Sequence, residues 1–242
     1  MKQTALTYLE DMGLLSLESE VLAIEEEGGK MLVVLDKTVF YPQGGGQPFD
    51  QGFIKSESAT FKVEEVRFVD GVVRHIGVFE QGTFSVGETV QCEIDAERRL
   101  LHARLHSAGH VVDLALLEFP QIHWKPGKGY HFPQGPYVEY AGSIEEAGDI
   151  EVFKKELEDK ANDIVRRADA VSIRFMPKDE IHTVCENVPE YLPEGKPARV
   201  VMYGLAGIPC GGTHVNNLGT IGAITIRKIK KEKEAIRVSY AV

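Results

Sequence analysis

The spacing of apolar residues changes at Asp95, and this change constrains the fold more than any other feature of the sequence. Before Asp95, short segments alternate between apolar and polar residues or run apolar, as β-strands do. Gly28-Gly29 and Asp70-Gly71 lie between such segments and are typical of tight turns. The predicted strands are residues 20–26, 30–36, 60–68, 72–78 and 89–95. The pattern therefore predicts a small antiparallel barrel or sandwich over residues 1–95.

After Asp95 the apolar residues recur at helical spacing. Asp95 is a favourable N-cap, and the apolar series runs from Leu100 to Leu116 before Pro120 prevents continuation. A helix of roughly six turns is expected there. A second amphipathic helix is predicted from Ile150 to Ala168. The remaining predicted strands are residues 129–132, 137–141, 171–176, 199–203, 220–226 and 235–240.

The fold class predicted for the whole chain is therefore α+β. It comprises an N-terminal antiparallel β-barrel-like domain, residues 1–95, and an α+β domain with a long helix and an antiparallel sheet, residues 96–242.

Composition excludes several classes of protein. With 242 residues, of which 43% are apolar and 26% charged, the chain matches proteins that fold on their own core. It lacks an apolar run of about 18 residues, and Glu10 and Asp11 interrupt the start, so neither a membrane span nor secretion is expected. Three cysteines cannot pair fully, which favours reduced thiols and a cytoplasmic location.

The formal charge, 27 − 37 = −10, argues against loose, non-specific binding of DNA or RNA but leaves room for a local basic surface. The oligomeric state, monomer or dimer, stays open.

Histidine and cysteine spacing indicates a metal site. His102, His106 and His110 follow one another at four-residue intervals, so their imidazoles share one helical stripe and adjacent pairs can close on one ion. Far downstream, Cys210 and His214 flank two glycines in a tight loop. Three nitrogens and one sulfur would complete a tetrahedral zinc site. Geometry alone also allows His102 with His106, and a buried cysteine beside unrelated histidines is the alternative.

Three motifs together resemble a known family. HSAGH, residues 106–110, and CGGTH, residues 210–214, resemble the zinc signatures of the editing domain of alanyl-tRNA synthetases and of free-standing, medium-length alanyl-tRNA editing proteins (AlaX-type). FYPQGGGQP, residues 40–48, is similar to the glycine-rich motif of the preceding β-domain in that family. One departure is Gly127-Lys128-Gly129, where synthetase editing domains commonly carry Gln-Lys-Gly.

The resemblance implies a zinc-containing aminoacyl-tRNA deacylase. Its zinc ligands would be His106, His110, Cys210 and His214, which leaves His102 in a supporting or surface position. The substrate would be mischarged tRNA(Ala), Ser-tRNA(Ala) first and Gly-tRNA(Ala) also possible, with the acceptor end as the part bound. The implied substrate contacts are Gly44, Gly45, Gly46, Gln47 and Thr213, although a β-turn without chemistry is an alternative for the glycine segment. No catalytic side chain is assigned.

Basic residues that cluster despite the acidic balance are candidates for RNA contact. They are Arg98, Arg99, Lys125, Lys128, Lys228, Lys230 and Lys231. A solvated hairpin is the alternative for the last three. Trp124 and Tyr130 are expected either to stack on the terminal adenine or to pack in the core.

Two other functions compete with editing: a non-catalytic tRNA-binding module with a structural zinc, and a metallohydrolase of small molecules.

Overall fold

The computed structural model describes residues 2–189, 192 and 195–242. It confirms the predicted α+β class, with two α-helices and antiparallel sheets in this part of the chain. The chain divides into two compact units, Met1–Leu101 and His102–Val242. Helix α1 (Ala96–Leu116) begins in the first unit and continues into the second. The functional division into residues 1–95 and 96–242 stays a prediction.

The first unit is a closed β-barrel. Its strands are β1 (Ala5–Leu6), β2 (Ser16–Glu27), β3 (Lys30–Leu35), β4 (Lys37–Thr38), β5 (Gly52–Lys55), β6 (Thr60–Val69), β7 (Val72–Gln81) and β8 (Thr89–Ile94). Six of them close the barrel in the order β2-β3-β7-β6-β5-β8, all antiparallel, while β1 and β4 form a separate parallel pair. All five strands expected before Asp95 lie in the barrel, and β5 completes it.

Local chemistry explains two features of the barrel. Asp70 and Gly71, between β6 and β7, both have positive φ, 51° and 82°, as the tightest hairpin turns require. Gly52 opens β5, where a Cβ atom would lie only 2.1 Å from the Glu93 carbonyl oxygen of the adjacent strand. The four-residue length of β5 gives too short a pattern to recognise in the sequence.

The second unit contains two sheets and most of the helical residues. After α1 come β9 (Lys125–Tyr130), β10 (Tyr137–Ala141), α2 (Ile150–Arg167), β11 (Val171–Met176), β12 (Ala198–Tyr203), β13 (Ala206–Pro209), β14 (Thr225–Glu232) and β15 (Ala235–Ala241). One sheet has the order β14-β15-β10-β9 and the other β11-β12-β13.

The strand predicted at residues 220–226 is wrong over most of its length. Leu218–Ile221 forms a 3-10 turn instead, which begins at Asn217, whose side chain accepts a hydrogen bond from the Gly219 amide. Local capping therefore overrides the strand preference, and the strand begins at Thr225.

Both helices begin at an aspartate. The Asp95 carboxylate accepts a hydrogen bond of 3.0 Å from the Arg98 amide, which confirms the predicted cap of α1. Asp149 accepts from two amides at the start of α2, whose apolar stripe, including Phe153 and Leu157, is buried. Within the described residues, neither helix has the apolar stretch needed to cross a lipid bilayer.

Candidate metal centre

Helix α1 brings two of the predicted ligands together. His106 and His110 lie one turn apart, and their rings stack with centroids 5.0 Å apart and planes inclined by 22°. His106 is buried, whereas His110 is partly exposed. His102 is also buried, one turn earlier, but it lies outside the group of side chains that converge here.

The loop after β13 supplies the other two predicted ligands, Cys210 and His214. The Cys210 amide donates to the Arg199 carbonyl at 3.2 Å, and the Arg199 guanidinium donates to the Cys210 carbonyl, so β12 holds the loop at both groups. The Gly212 amide donates to Cys210 Sγ at 3.3 Å. A Cβ atom on Gly211 would meet open space, so this glycine is not required by crowding.

The four predicted ligands converge on one point. One donor atom from each of His106, His110, Cys210 and His214 lies within 4.8 Å of the others. Cys210 Sγ is 3.4 Å from Nε2 of both His106 and His214. Both ring nitrogens of His110 are buried, and neither has a hydrogen bond of ordinary length within the described residues. A buried polar atom without a partner is costly, and a cation bound there would satisfy it. Three imidazoles and a thiol are the donors zinc prefers, so the residues fit this metal.

The pKa values favour the ligating forms of three of these side chains. Burial, together with the neighbouring imidazoles, lowers the pKa of His106 and of His214 well below the ordinary value. Burial raises the pKa of Cys210, but His110, the Gly212 amide and Arg199 outweigh it and lower the net pKa. Neutral imidazoles and a thiolate are the forms that bind metal.

His110 behaves differently from the other two histidines. Burial lowers its pKa, but the Asp113 carboxylate and the Cys210 sulfur outweigh that effect and raise the pKa to about 9. The carboxylate and the sulfur therefore act on the His110 ring in the opposite sense to burial.

Two of the histidines in the His₃Cys cluster, His214 and His110, have polar neighbours on the Nδ1 side of the ring. His214 Nδ1 lies 2.9 Å from the Tyr203 hydroxyl and 3.3 Å from Ser107 Oγ, which itself accepts from the Val215 amide at 3.1 Å. His110 Nδ1 lies 3.5 Å from Asp113 Oδ2. Both contacts lie on the Nδ1 side of the ring, and Nε2 of His214 faces Cys210 Sγ.

His131 is a member of this region that the sequence analysis missed. Its ring stacks on His106, with centroids 4.3 Å apart and planes inclined by 20°. His131 Nδ1 donates to the Tyr240 hydroxyl at 2.6 Å, because that hydroxyl donates to the Leu105 carbonyl at 2.9 Å. Burial lowers the pKa of His131 to about 3, so the ring is neutral. Neither periodicity nor a spacing motif marks this residue.

Two glycines make room for His131. A Cβ atom would lie 2.5 Å from the His131 ring at Gly109 and 2.4 Å from it at Gly129. The packing of His131 therefore requires a glycine at position 129, the last residue of the Gly-Lys-Gly segment. At Gly127 a Cβ atom would lie 3.0 Å from the Glu139 carbonyl oxygen.

The glycine-rich segment of the first unit forms a tight turn. Gly44 and Gln47 are joined by two backbone hydrogen bonds, of 3.2 and 2.8 Å, and the Tyr41 hydroxyl donates to the Gly44 carbonyl at 2.9 Å. Gly45 and Gly46 both have positive φ, 53° and 77°. Gln47 is fully buried, whereas Gly44 and Gly45 are exposed. The segment is a hydrogen-bonded turn, and substrate contact there remains a prediction.

Thr213, the other predicted substrate residue, is buried between Gly212 and His214 in the ligand loop. Its contact with substrate also remains a prediction.

Arg99 does not belong to an RNA surface. Its side chain is 3% exposed, and its guanidinium binds Asp50 at 2.5 Å and the Val39 carbonyl at 2.7 Å. A buried guanidinium in an ion pair cannot reach a phosphate, so Arg99 is a residue of the fold. Arg98 is half-buried and donates to the Phe49 carbonyl at 3.1 Å. Trp124 also belongs to the core, since it is 7% exposed and packs on Phe153 with ring centroids 5.6 Å apart.

The other predicted RNA residues lie on the four-stranded sheet. Lys125 and Lys128 are exposed on β9, and Lys228, Lys230 and Lys231 lie on β14. A hairpin is present there, because β14 and β15 are paired and joined by a tight turn, and contact of the last three lysines with RNA remains a prediction. Tyr130 is half-buried, and its ring stacks on those of Phe132 and Tyr137.

Fold and site together define a two-unit α+β protein with a His₃Cys cluster able to hold a metal ion. A family model for the threonyl- and alanyl-tRNA synthetase second additional domain matches residues 199–238, which contain Cys210 and His214. A family model for class II (A) tRNA synthetases matches residues 6–98.

Curated relatives agree with these matches. The alanine–tRNA ligase of Methanothrix thermoacetophila is 35% identical over 213 residues, covering 86% of this chain and 23% of the ligase. That of Methanobrevibacter smithii is 33% identical over 99% of this chain and 27% of the ligase. That of Haloquadratum walsbyi is 30% identical over 100% of this chain and 26% of the ligase. The chain thus spans about a quarter of the length of these relatives, and it belongs to the family of proteins related to the editing region of alanyl-tRNA synthetase.

Proposed function

We propose that this protein hydrolyses the aminoacyl ester of mischarged tRNA(Ala), with Ser-tRNA(Ala) as the main substrate and Gly-tRNA(Ala) as a second one. The observation that carries the proposal is the convergence of His106, His110, Cys210 and His214 within 4.8 Å. Two of these residues lie in the segment that matches the synthetase additional domain.

The metal would be zinc, held by those four side chains. When bound, the ion supplies a Lewis-acid centre that can orient an oxygen ligand such as a water or a ribose hydroxyl. The chain itself keeps the imidazoles of His106 and His214 neutral by burial and holds the ring of His214 through Tyr203. His106 and His214 are buried, whereas His110 and Cys210 are partly exposed.

The reaction makes modest demands on the protein. A water oxygen attacks the ester carbonyl carbon, the bond between that carbon and the ribose oxygen breaks, and the ribose oxygen takes up a proton. Because the aminoacyl ester is already activated, holding a water in position suffices and no serine-histidine-acid triad is required. The products are the free amino acid and tRNA.

Selectivity for serine requires a polar partner for its hydroxyl. A pocket that hydrogen-bonds this hydroxyl leaves its own polar groups unpaired with alanine, which can discriminate by about 10⁴-fold. The correct product, Ala-tRNA(Ala), would then be spared, whereas glycine, which lacks the alanine methyl group, leaves room for a water molecule to pair with those polar groups. Gly44, Gly45, Gly46, Gln47 and Thr213 are the proposed substrate contacts.

We place the RNA-binding surface on the exposed side of the four-stranded sheet. Lys228, Ser239, Tyr137 and Tyr130 stand opposite one another across β14, β15, β10 and β9, so their side chains share one face. Lys228 and Lys128 are exposed and have no carboxylate partner among the residues described. Cations beside aromatic rings suit a single-stranded RNA end, whose phosphates and bases they contact respectively.

A deacylation assay tests the enzymatic proposal. Purified protein is incubated with Ser-, Gly- and Ala-tRNA(Ala), and release of serine without release of alanine is expected. Cys210→Ala should lower zinc content and serine release together, because three remaining ligands hold the metal less tightly. The matched control is Cys185→Ala, since Cys185 is buried in a separate apolar cluster and should retain both properties. Serine release by a zinc-free Cys210→Ala protein at the wild-type rate would contradict the proposal.

A charge reversal tests the RNA surface. Lys228→Glu should raise the KM for Ser-tRNA(Ala) more than it lowers kcat and should reduce the salt dependence of binding by about one phosphate contact. Lys155→Glu on the outer face of α2, where Lys155 is exposed and paired with Asp159, is the matched control. Equal effects of the two variants would remove the sheet from the RNA interface.

A second candidate is a non-catalytic tRNA-binding module. The observation that favours it is the number of protein donors, because four protein ligands are typical of structural zinc sites. It predicts tRNA binding without release of any amino acid. A metallohydrolase of small molecules would instead act on esters without RNA and would be indifferent to Lys228→Glu.

A further inference from the structure

The contact between His110 and a nearby carboxylate suggests how the cluster is held in its ligating geometry. Asp113 follows His110 by three residues on α1, so both side chains lie on one face of the helix. Asp113 Oδ2 is 3.5 Å from His110 Nδ1, and the two side chains are 17% and 12% exposed. This distance is longer than an ordinary hydrogen bond, so the contact is primarily one of charge.

Tyr140 fixes the carboxylate. This residue lies on the inner face of β10 and is 1% exposed. Its hydroxyl donates to Asp113 Oδ1 at 2.6 Å, which leaves Oδ2 as the oxygen that faces His110. The Tyr140 ring also lies against Trp124, with centroids 6.0 Å apart, so the hydroxyl is held by a packed core. The rotamer of Asp113 is therefore set from the sheet and not by the helix alone.

The partners of His214 are uncharged, unlike the carboxylate beside His110. Its Nδ1 faces the hydroxyls of Tyr203 and Ser107, which are neutral. A zinc ion with one thiolate and three neutral imidazoles keeps a net charge near +1, and a carboxylate beside the ligand His110 offsets this charge within the buried region.

We propose that Asp113, oriented by Tyr140, is the positioning residue of the metal site: it holds the proton of His110 on Nδ1, directs Nε2 at the metal and raises the affinity for zinc. Asp113 does not itself contact the metal. This inference rests on the proposed function only for the identity of the metal. It predicts a change in metal binding that is independent of RNA.

The test is a measurement of zinc affinity on the wild type and four variants. Asp113→Asn keeps the size of the side chain and an oxygen for the Tyr140 hydroxyl but removes the charge, and it should lower zinc affinity by about 10- to 100-fold. Tyr140→Phe keeps the ring and removes the donor, and it should lower affinity in the same direction by a smaller factor. Asp113→Glu, which keeps the charge, should retain more affinity than Asp113→Asn. Asp163 is exposed on α2, so Asp163→Asn is the matched control and should leave the zinc affinity unchanged.

Competition with a chromophoric chelator measures the affinity, and two further measurements separate positioning from structure. The metal-free Asp113→Asn protein should still unfold cooperatively in urea, and the extra stability that it gains with zinc should be smaller than that gained by the wild type. The visible spectrum of the cobalt-substituted variant should keep the intensity of a four-coordinate site with a thiolate ligand.

An Asp113→Asn protein that binds zinc within twofold of the wild type would overturn the inference, as would an equal loss of affinity in Asp163→Asn. If Asp113→Asn does not fold, Tyr140→Phe decides, and unchanged affinity in that variant overturns the inference. Because the readout needs no tRNA, a protein whose zinc affinity depends on Asp113 but which releases no amino acid would refute the proposed function alone.

Discussion

His75 makes the barrel unit sensitive to acid, and the size of the effect follows from its surroundings. The ring is fully buried between β7 and its neighbours. Its Nδ1 donates to the Val33 carbonyl at 3.0 Å, and its Nε2 accepts from the Thr38 hydroxyl at 2.8 Å, because Thr38 Oγ1 in turn accepts from the Phe40 amide. This chain of hydrogen bonds fits one neutral tautomer, and a second ring proton would require the Thr38 hydroxyl to turn its own proton away from the ring.

The free energy involved can be worked from the pKa. Burial lowers the pKa of His75 from 6.5 to about 4, with the Val33 carbonyl opposing the shift. The unfolded chain therefore binds a proton more readily than the folded one, so stability is fully present above about pH 6.5 and is lost as the pH falls toward 4. The loss amounts to about 2 kcal/mol at pH 5 and about 3 kcal/mol near pH 4.

The assay is urea unfolding of the full chain at pH 7 and pH 5. His75→Gln removes the ionisable group, so the variant should lose about 2 kcal/mol less than the wild type between these pH values, whatever its stability at pH 7. His123→Gln is the matched control, because the His123 side chain is 76% exposed, and it should follow the wild type. Identical pH dependence in the wild type and His75→Gln, within about 0.5 kcal/mol, would refute the reasoning.

Two further predictions concern packing. Gly129→Ala should destabilise the protein by about 1–3 kcal/mol in urea unfolding, because its Cβ atom would collide with His131. Gly135→Ala, which has open space around it, is the control and should stay within about 0.5 kcal/mol of the wild type. Equal stabilities of the two variants would contradict the crowding argument. Asp50→Asn should cost about 3–5 kcal/mol in the same measurement, because it leaves the Arg99 guanidinium buried without its carboxylate, and a cost below about 1 kcal/mol would show that the pair is not needed.

The extent to which the sequence predicts this fold depends on the range of the contacts involved. Alternation over β2, β3, β6, β7 and β8 identifies the barrel strands, since each strand repeats its pattern over six or more residues. The strand predicted at residues 220–226 overlaps the 3-10 turn at Leu218–Ile221, because four residues carry little periodicity and a side-chain cap decides their conformation.

The residues of the candidate site also fall into those that local spacing predicts and those that long-range contacts place. His106, His110, Cys210 and His214 are conspicuous in the sequence because each pair has a recognisable local spacing. His131 and Asp113 are not, because their roles arise from packing against Tyr240 and Tyr140, residues 109 and 27 positions away along the chain. Arg99 was misread as an RNA contact for a related reason: its partner Asp50 lies 49 residues away, and only the folded barrel brings them together.

The sequence by itself determined which segments become strands and helices and which side chains have the chemistry to bind a metal, because both depend on residue type and on spacing within a few positions. Tertiary structure alone decided which polar groups are buried, which of them meet and which keep access to solvent. The physical reason is that desolvation and charge pairing act through space, between atoms that chain order leaves far apart.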